Sequence, residues 1–130
     1  MFTIEQIKAA HAKVKSGADF PKYIQEIKQL GVSAYHHYVA DGHIKYYGEN
    51  NFTISADAKW ADRPVANVSD STKLKHTLQI HQQGQTNYPT FCLQAAEIGV
   101  EKWIVDMKKM TCTYYDKASN EMLVEPIPVI

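Results

Sequence analysis

Asp19–Gly48, DFPKYIQEIKQLGVSAYHHYVADGHIKYYG, and Asn87–Asp116, NYPTFCLQAAEIGVEKWIVDMKKMTCTYYD, align without a gap at an offset of 68 residues. Pro21 meets Pro89, Gly31–Val32 meets Gly99–Val100, and Tyr46–Tyr47 meets Tyr114–Tyr115. Residue type is kept at Asp19/Asn87, Phe20/Tyr88, Tyr23/Phe91, Leu30/Ile98 and Tyr35/Trp103. Each matched position has its own structural task. Asp19 and Asn87 are capping residues, and Pro21 and Pro89 fall in a first helical turn, where a missing N–H costs nothing. Gly31 and Gly99 can take the left-handed conformation that ends a helix. The strand-like run after each glycine completes a duplicated helix–strand–strand unit.

Working outward, Thr3 and Gln6 form a capping box. Ile4, Ile7, His11 and Val14 then make an apolar stripe on a helix predicted to end near Ser16–Gly17. At an offset of 67, Ile7, His11, Val14 and Gly17 lie over Leu74, Leu78, His81 and Gly84, so this helix is repeated behind a Ser69–Asp70 cap. Asp41-Gly42 is the dipeptide favoured by a two-residue type I′ hairpin. It sets Val39 opposite Ile44, His37 opposite Tyr46, His36 opposite Tyr47 and Tyr38 opposite Lys45. Asn51–Ser55 supplies a third strand and residues 56–68 a connector pinned by Trp60. The second hairpin, Val100–Met107 with Thr111–Lys117, turns at Lys109-Met110, a poorer turn pair that predicts a longer loop. Met122–Glu125 is a last strand, and Pro126 and Pro128 keep it from a central position. The expected fold is a single α+β domain over 1–130. Two ααββ(β) units, about 3–55 and 69–125, pack helices on antiparallel sheet about a pseudo-twofold axis.

Composition narrows the function classes. Length 130 and 45% apolar residues suit one domain with a core of its own, needing neither disulfide nor metal. Zero formal net charge leaves no electrostatic footprint for nucleic acid or an anionic membrane. It also offers little colloidal repulsion, which leaves a homodimer open. No run reaches the ~20 apolar residues of a membrane span, and MFTIEQIKAAHAK is no signal peptide, so the expected location is cytoplasmic. Cys92 and Cys112 form no CxxC and fall where their partners across the offset are apolar, as buried thiols would. There is no GxSxG, P-loop, GxGxxG, HExxH or EF-hand, and no cofactor or metal is expected.

The six histidines are the place to look for a site. In the second hairpin Trp103, Val105, Met107, Cys112 and Tyr114 alternate as an apolar face. Transferred to the first, that face is Tyr35, His37, Val39, Ile44 and Tyr46. His37 thus stands where the other half has Val105, either as a core histidine bonded to a carbonyl or as a site residue. The opposite face carries His36, Tyr38, His43, Lys45 and Tyr47, a set of rings and donors suited to an anionic or aromatic ligand or a partner protein. His81 opens the amide-rich run HQQGQTNY between two helices. Expected ligand-binding residues are therefore His36, His37, Tyr38, His43, Tyr47 and His81.

The run HQQGQTNYPTFCLQAAEIGVEKWIVDMKKMTCTYYD, the tail VEPIP and the stretch GV…DGHIKYYG resemble a bacterial and prophage family of unknown function, the YbcV/YdfO-like proteins, sometimes labelled "phage envelope protein". The resemblance covers nearly the whole chain. It implies a mobile-element origin and brings no activity, cofactor or catalytic residue with it. The expected function is a non-catalytic binding module for a small molecule or a protein. The alternatives are a small enzyme using histidine as general acid or base, and a phage or prophage structural component.

Overall fold

A computed structural model of the chain describes residues 2–15 and 17–128. Within them lie four helices: α1 (Ile4–His11), α2 (Phe20–Gln29), α3 (Ser71–Gln82) and α4 (Tyr88–Ile98). Six strands accompany them: β1 (Ala34–Tyr38), β2 (Ile44–Tyr47), β3 (Thr53–Ala56), β4 (Lys102–Asp106), β5 (Thr111–Tyr115) and β6 (Glu121–Pro126). The strands form one antiparallel sheet in the order β3-β2-β1-β4-β5-β6. Each half of the chain supplies two helices and a three-stranded meander, and the meanders join where β1 pairs with β4. That ladder runs from Ala34 opposite Asp106 to Tyr38 opposite Lys102.

Local sequence accounts for most of the helix ends. Thr3 and Gln6 make the reciprocal capping box of α1. Asp70 and Asn87 accept the Lys73 and Thr90 amides to start α3 and α4, and Pro89 lies in the first turn of α4. Two helix ends depart from the sequence expectation. The first helix stops at His11, because Lys13 and Val14 donate to Ala10 and His11 in tight three-residue turns. Ser16, where it was expected to end, lies outside the described residues. Asp19 precedes α2 in a right-handed conformation (φ −86°, ψ −4°), which does not suit a capping side chain, and its carboxylate accepts the Lys15 amide instead.

The first hairpin differs by two residues in register. Tyr35 stands opposite Tyr46, His36 opposite Lys45 and His37 opposite Ile44. Four residues, Val39–Gly42, form the loop, closed by the Gly42 amide on the Tyr38 carbonyl. A two-residue turn is ruled out because the connector takes the loop's backbone. Asp41 O accepts the Lys59 and Trp60 amides, Ala40 O accepts the Arg63 amide, and the Trp60 indole donates to Val39 O and Ala40 O. Because the slip is even, each side chain keeps its face. The second hairpin has a four-residue loop as well, Met107–Met110, with Met110 at φ 53°.

The buried face is the one expected. Tyr35, His37, Val39, Ile44 and Tyr46, together with Trp103, Val105, Met107, Cys112 and Tyr114, are all at or below 7% exposure. Helix residues Ile7, Ile24, Ile27, Leu74, Leu78, Phe91, Cys92 and Ala95 complete this core. The opposite face, with His36, Tyr38, Lys45, Tyr47, Lys102, Ile104 and Thr113, is half-exposed. Joining edge to edge, the second meander extends the sheet and does not cover that face.

Two glycines hold the connector in place. Gly99 ends α4 at φ 98°, where a Cβ would lie 2.7 Å from Val68 O and 2.8 Å from Ser69 Cα. Gly42, at φ 76°, lies against the Trp60 ring, 2.9 Å from a would-be Cβ. A backbone neighbour cannot turn aside as a side chain can. Gly99→Ala should therefore cost about 3 kcal/mol or more of unfolding free energy in urea, and Gly42→Ala about 1–2 kcal/mol.

Candidate functional site

Between the four helices and the buried sheet face lies a cavity of about 580 Å3. Its floor is made of buried residues from both halves: Tyr23, Tyr35, His37 and Ile44 from the first, and Leu78, Phe91, Trp103, Cys112 and Tyr114 from the second. The rim is exposed and comes from loops and the C-terminal segment: Lys15, Ala18, Gln82, Asn87, Pro89, Pro126 and Pro128. Two of its buried aromatic residues, Trp103 from β4 and His37 from β1, stand directly across the central ladder. Their rings stack nearly parallel, centroids 4.0 Å apart and 14° between planes.

His37 is the most constrained polar group in the molecule. It is 2% exposed, the one buried polar or charged residue among those described. Nε2 is hydrogen-bonded to the Tyr88 hydroxyl, and Nδ1 has no hydrogen-bond partner. Burial pushes its pKa well below the usual 6.5, and the positive Lys59 nearby pushes it the same way. His37 is therefore neutral at physiological pH. His11 packs edge-on against Tyr23 and Tyr88 at 5.3 Å, and burial lowers its pKa too. His81 stacks on Phe91 at 4.6 Å, holds Thr86 O and Oγ1 at 3.1 Å through Nδ1, and is lowered by burial.

The acidic groups move in the opposite sense for the same reason. Burial raises the phenols of Tyr23, Tyr35, Tyr88 and Tyr114 and takes the Cys112 thiol to about 12. Glu125, bonded to Gln82 Nε2 at 3.2 Å, is half-buried and also raised. Cys92 and Cys112 are both buried and free. No group of three or more His, Cys, Asp or Glu among the described residues could hold a metal ion.

His36, Tyr38, His43 and Tyr47 lie together on the other sheet face. With the observed register Tyr38 and His43 are direct neighbours, stacked at 4.3 Å and 7°. His36 meets Tyr47 diagonally at 5.0 Å. Lys45 lies over Tyr47, and Lys102 lies near both Tyr38 and Tyr115. Asp41 Oδ1 holds the His43 ring at 2.5 Å. Of the six residues expected from sequence, His37 and His81 reach the cavity and the other four form this platform. His76 lies apart, in a shallow groove between α3 and α4.

Tyr88, Trp103, His11 and Glu125 also line the cavity and were not singled out in the sequence. The available signal was three histidines, His11, His37 and His81, on stripes otherwise apolar. An unfolded histidine protonates near pH 6.5, whereas His37 in the fold resists protonation. The unfolded chain therefore binds more protons below that pH. Stability should be unaffected by this group above pH 6.5. Below it, stability should fall toward the lower folded pKa, by at most about 1.4 kcal/mol per pH unit for one histidine. His11 and His81 act in the same direction. Urea unfolding at pH 7 and pH 5 should show this loss, and His37→Phe should reduce it. An unchanged pH dependence in the variant would mean that His37 is not held neutral.

Comparison with known proteins adds a family. The chain is 19% identical over 115 residues to the uncharacterized protein YcgX of Escherichia coli (strain K12), a match spanning 88% of this chain and 86% of that protein. Among the described residues no helix is long and apolar enough to cross a membrane. Residues 8–126, nearly the whole of the fold and every wall of the cavity except its outermost C-terminal residues, match one family, and the chain belongs to it: the family described as "Protein of unknown function (DUF1398)".

Proposed function

We propose that the protein is a non-catalytic binding module that holds a small organic molecule in the cavity between helices and sheet. One observation carries this reading: a fully buried imidazole with an unpartnered nitrogen, in the wall of a space of about 580 Å3. Leaving a buried polar atom unsatisfied costs roughly 1–3 kcal/mol, so such atoms are rare unless something else meets them. The volume falls in the range of ligand pockets, and the aromatic floor with few polar groups has their composition. Both halves of the chain contribute to it. Their origin by duplication belongs to the same proposal, supported by a β1–β4 register that sets His36 against Ile104, 68 positions on.

A second reading, an enzyme with His37 as acid or base, is favoured by the His37–Tyr88 hydrogen bond, a pair through which a proton could pass. It ranks lower because burial makes His37 a weak base and Tyr88 a weak acid, both far from the matched pKa that proton transfer near neutral pH needs. The platform of His36, Tyr38, His43 and Tyr47 is a further candidate surface. Its ring faces are already occupied by one another and by Lys45 and Lys102, which leaves less for a ligand to stack on.

Native mass spectrometry of gently purified protein, before and after incubation with the low-molecular-weight fraction of a bacterial extract, tests the proposal. The chain should retain a small organic adduct. Val14→Trp, which adds bulk to the cavity wall beside Lys15, should lose the adduct while keeping its unfolding midpoint. A chain that retains nothing in either preparation would overturn the reading, and an adduct converted to a product would favour the enzyme.

A further inference from the structure

We infer that the occupant of this cavity is an uncharged, planar aromatic molecule carrying a hydroxyl or carbonyl group, its ring among the aromatic walls and its polar group on His37. The inference rests on the cavity being a binding site and names the chemistry that would fill it.

Shape supplies the first argument. Trp103 stands 5.7 Å from both Phe91 and Tyr114, with planes inclined by 53° and 50°. Tyr23, Tyr35 and Tyr88 line the same space. Rings set at such angles and spacings favour a further ring in edge-on or offset contact.

Charge supplies the second. The cavity's formally charged residues are Lys15, exposed on the rim, and Glu125, half-buried and bonded to Gln82. None of the buried lining residues carries a charge. Burial disfavours charge of either sign there, lowering the imidazoles and raising the phenols and the Cys112 thiol. An ionised ligand group at the buried floor would lose its hydration without gaining a partner. His37 cannot readily take a proton to meet an anion, since burial disfavours its charged form and Lys59 opposes it.

Hydrogen bonding supplies the third. Nδ1 of His81 is already bonded to Thr86, whereas Nδ1 of His37 is unpaired. If the Tyr88 hydroxyl donates to Nε2, Nδ1 carries the proton and offers a donor; in the other tautomer it accepts. A hydroxyl satisfies either state and a carbonyl the first.

Three probes of one shape separate these arguments: naphthalene, 2-naphthol and 2-naphthoate, titrated into the full chain at pH 7.5. A Trp60→Phe background leaves Trp103 as the sole indole, and its emission reads occupancy, with the unsubstituted chain titrated in parallel by calorimetry to show that losing the Trp60 indole bonds does not alter the site. The expected result is 2-naphthol binding at least about tenfold more tightly than either other probe. His37→Phe should bring 2-naphthol down to the level of naphthalene and leave naphthalene unchanged, which a merely structural loss would not do. His37→Gln, which keeps a hydrogen-bonding group, should retain part of the preference. Equal or tighter binding of 2-naphthoate overturns the inference about charge, and equal binding of naphthalene and 2-naphthol overturns the anchoring by His37. In both cases the cavity stands as a binding site. If no probe perturbs Trp103, the cavity reading itself falls.

Discussion

The antiparallel ladder between β1 and β4 is the interaction on which the rest depends. Each three-stranded meander has one apolar face and an exposed inner edge, and two helices cover only part of such a face. Pairing β1 with β4 removes both inner edges at once and makes one continuous apolar face, over which all four helices share a core. The same ladder fixes the floor of the cavity. His37 and Trp103 face each other across it, so their stack is a direct product of strand register. A shift of one residue would put His37 on the outer face and abolish the site.

Much of this architecture could be read in the chain. Caps at Thr3, Asp70 and Asn87, prolines in first turns, and glycines after Leu30 and Ile98 marked the helices because each rests on local chemistry. Alternation in the strands sorted buried from outward residues correctly even where the register was wrong, since the hairpin slipped by an even number. The slip itself was not legible. Asp41-Gly42 favours a tight turn in isolation, but Trp60, about twenty residues on, takes the loop carbonyls, a tertiary preference that outweighs the local one. Asp19 failed as a cap for a related reason, its carboxylate being drawn to Lys15.

The site was legible only in fragments. His37 stood out because the other half has Val105 at the matching place, and His81 because of its amide-rich surroundings. That the two, with His11, enclose one cavity depends on how four helices settle on a sheet, which no spacing encodes. Tyr88 is the clearest case. It stands where the first half has Phe20, which has no hydroxyl, whereas its own hydroxyl is the group bonded to His37. Polar atoms placed this deep weaken the core compared with an all-apolar filling of the same volume.

The parallel stack of His37 on Trp103 has an optical consequence. An imidazolium quenches indole emission far more effectively than a neutral imidazole does. With the His37 ring 4.0 Å from Trp103, the brightness of that residue reports the charge on its neighbour. Trp60, against Arg63 and 6.3 Å from the Tyr88 ring, has no such stacked histidine. The molecule thus contains one tryptophan stacked on an interior histidine and another that is not.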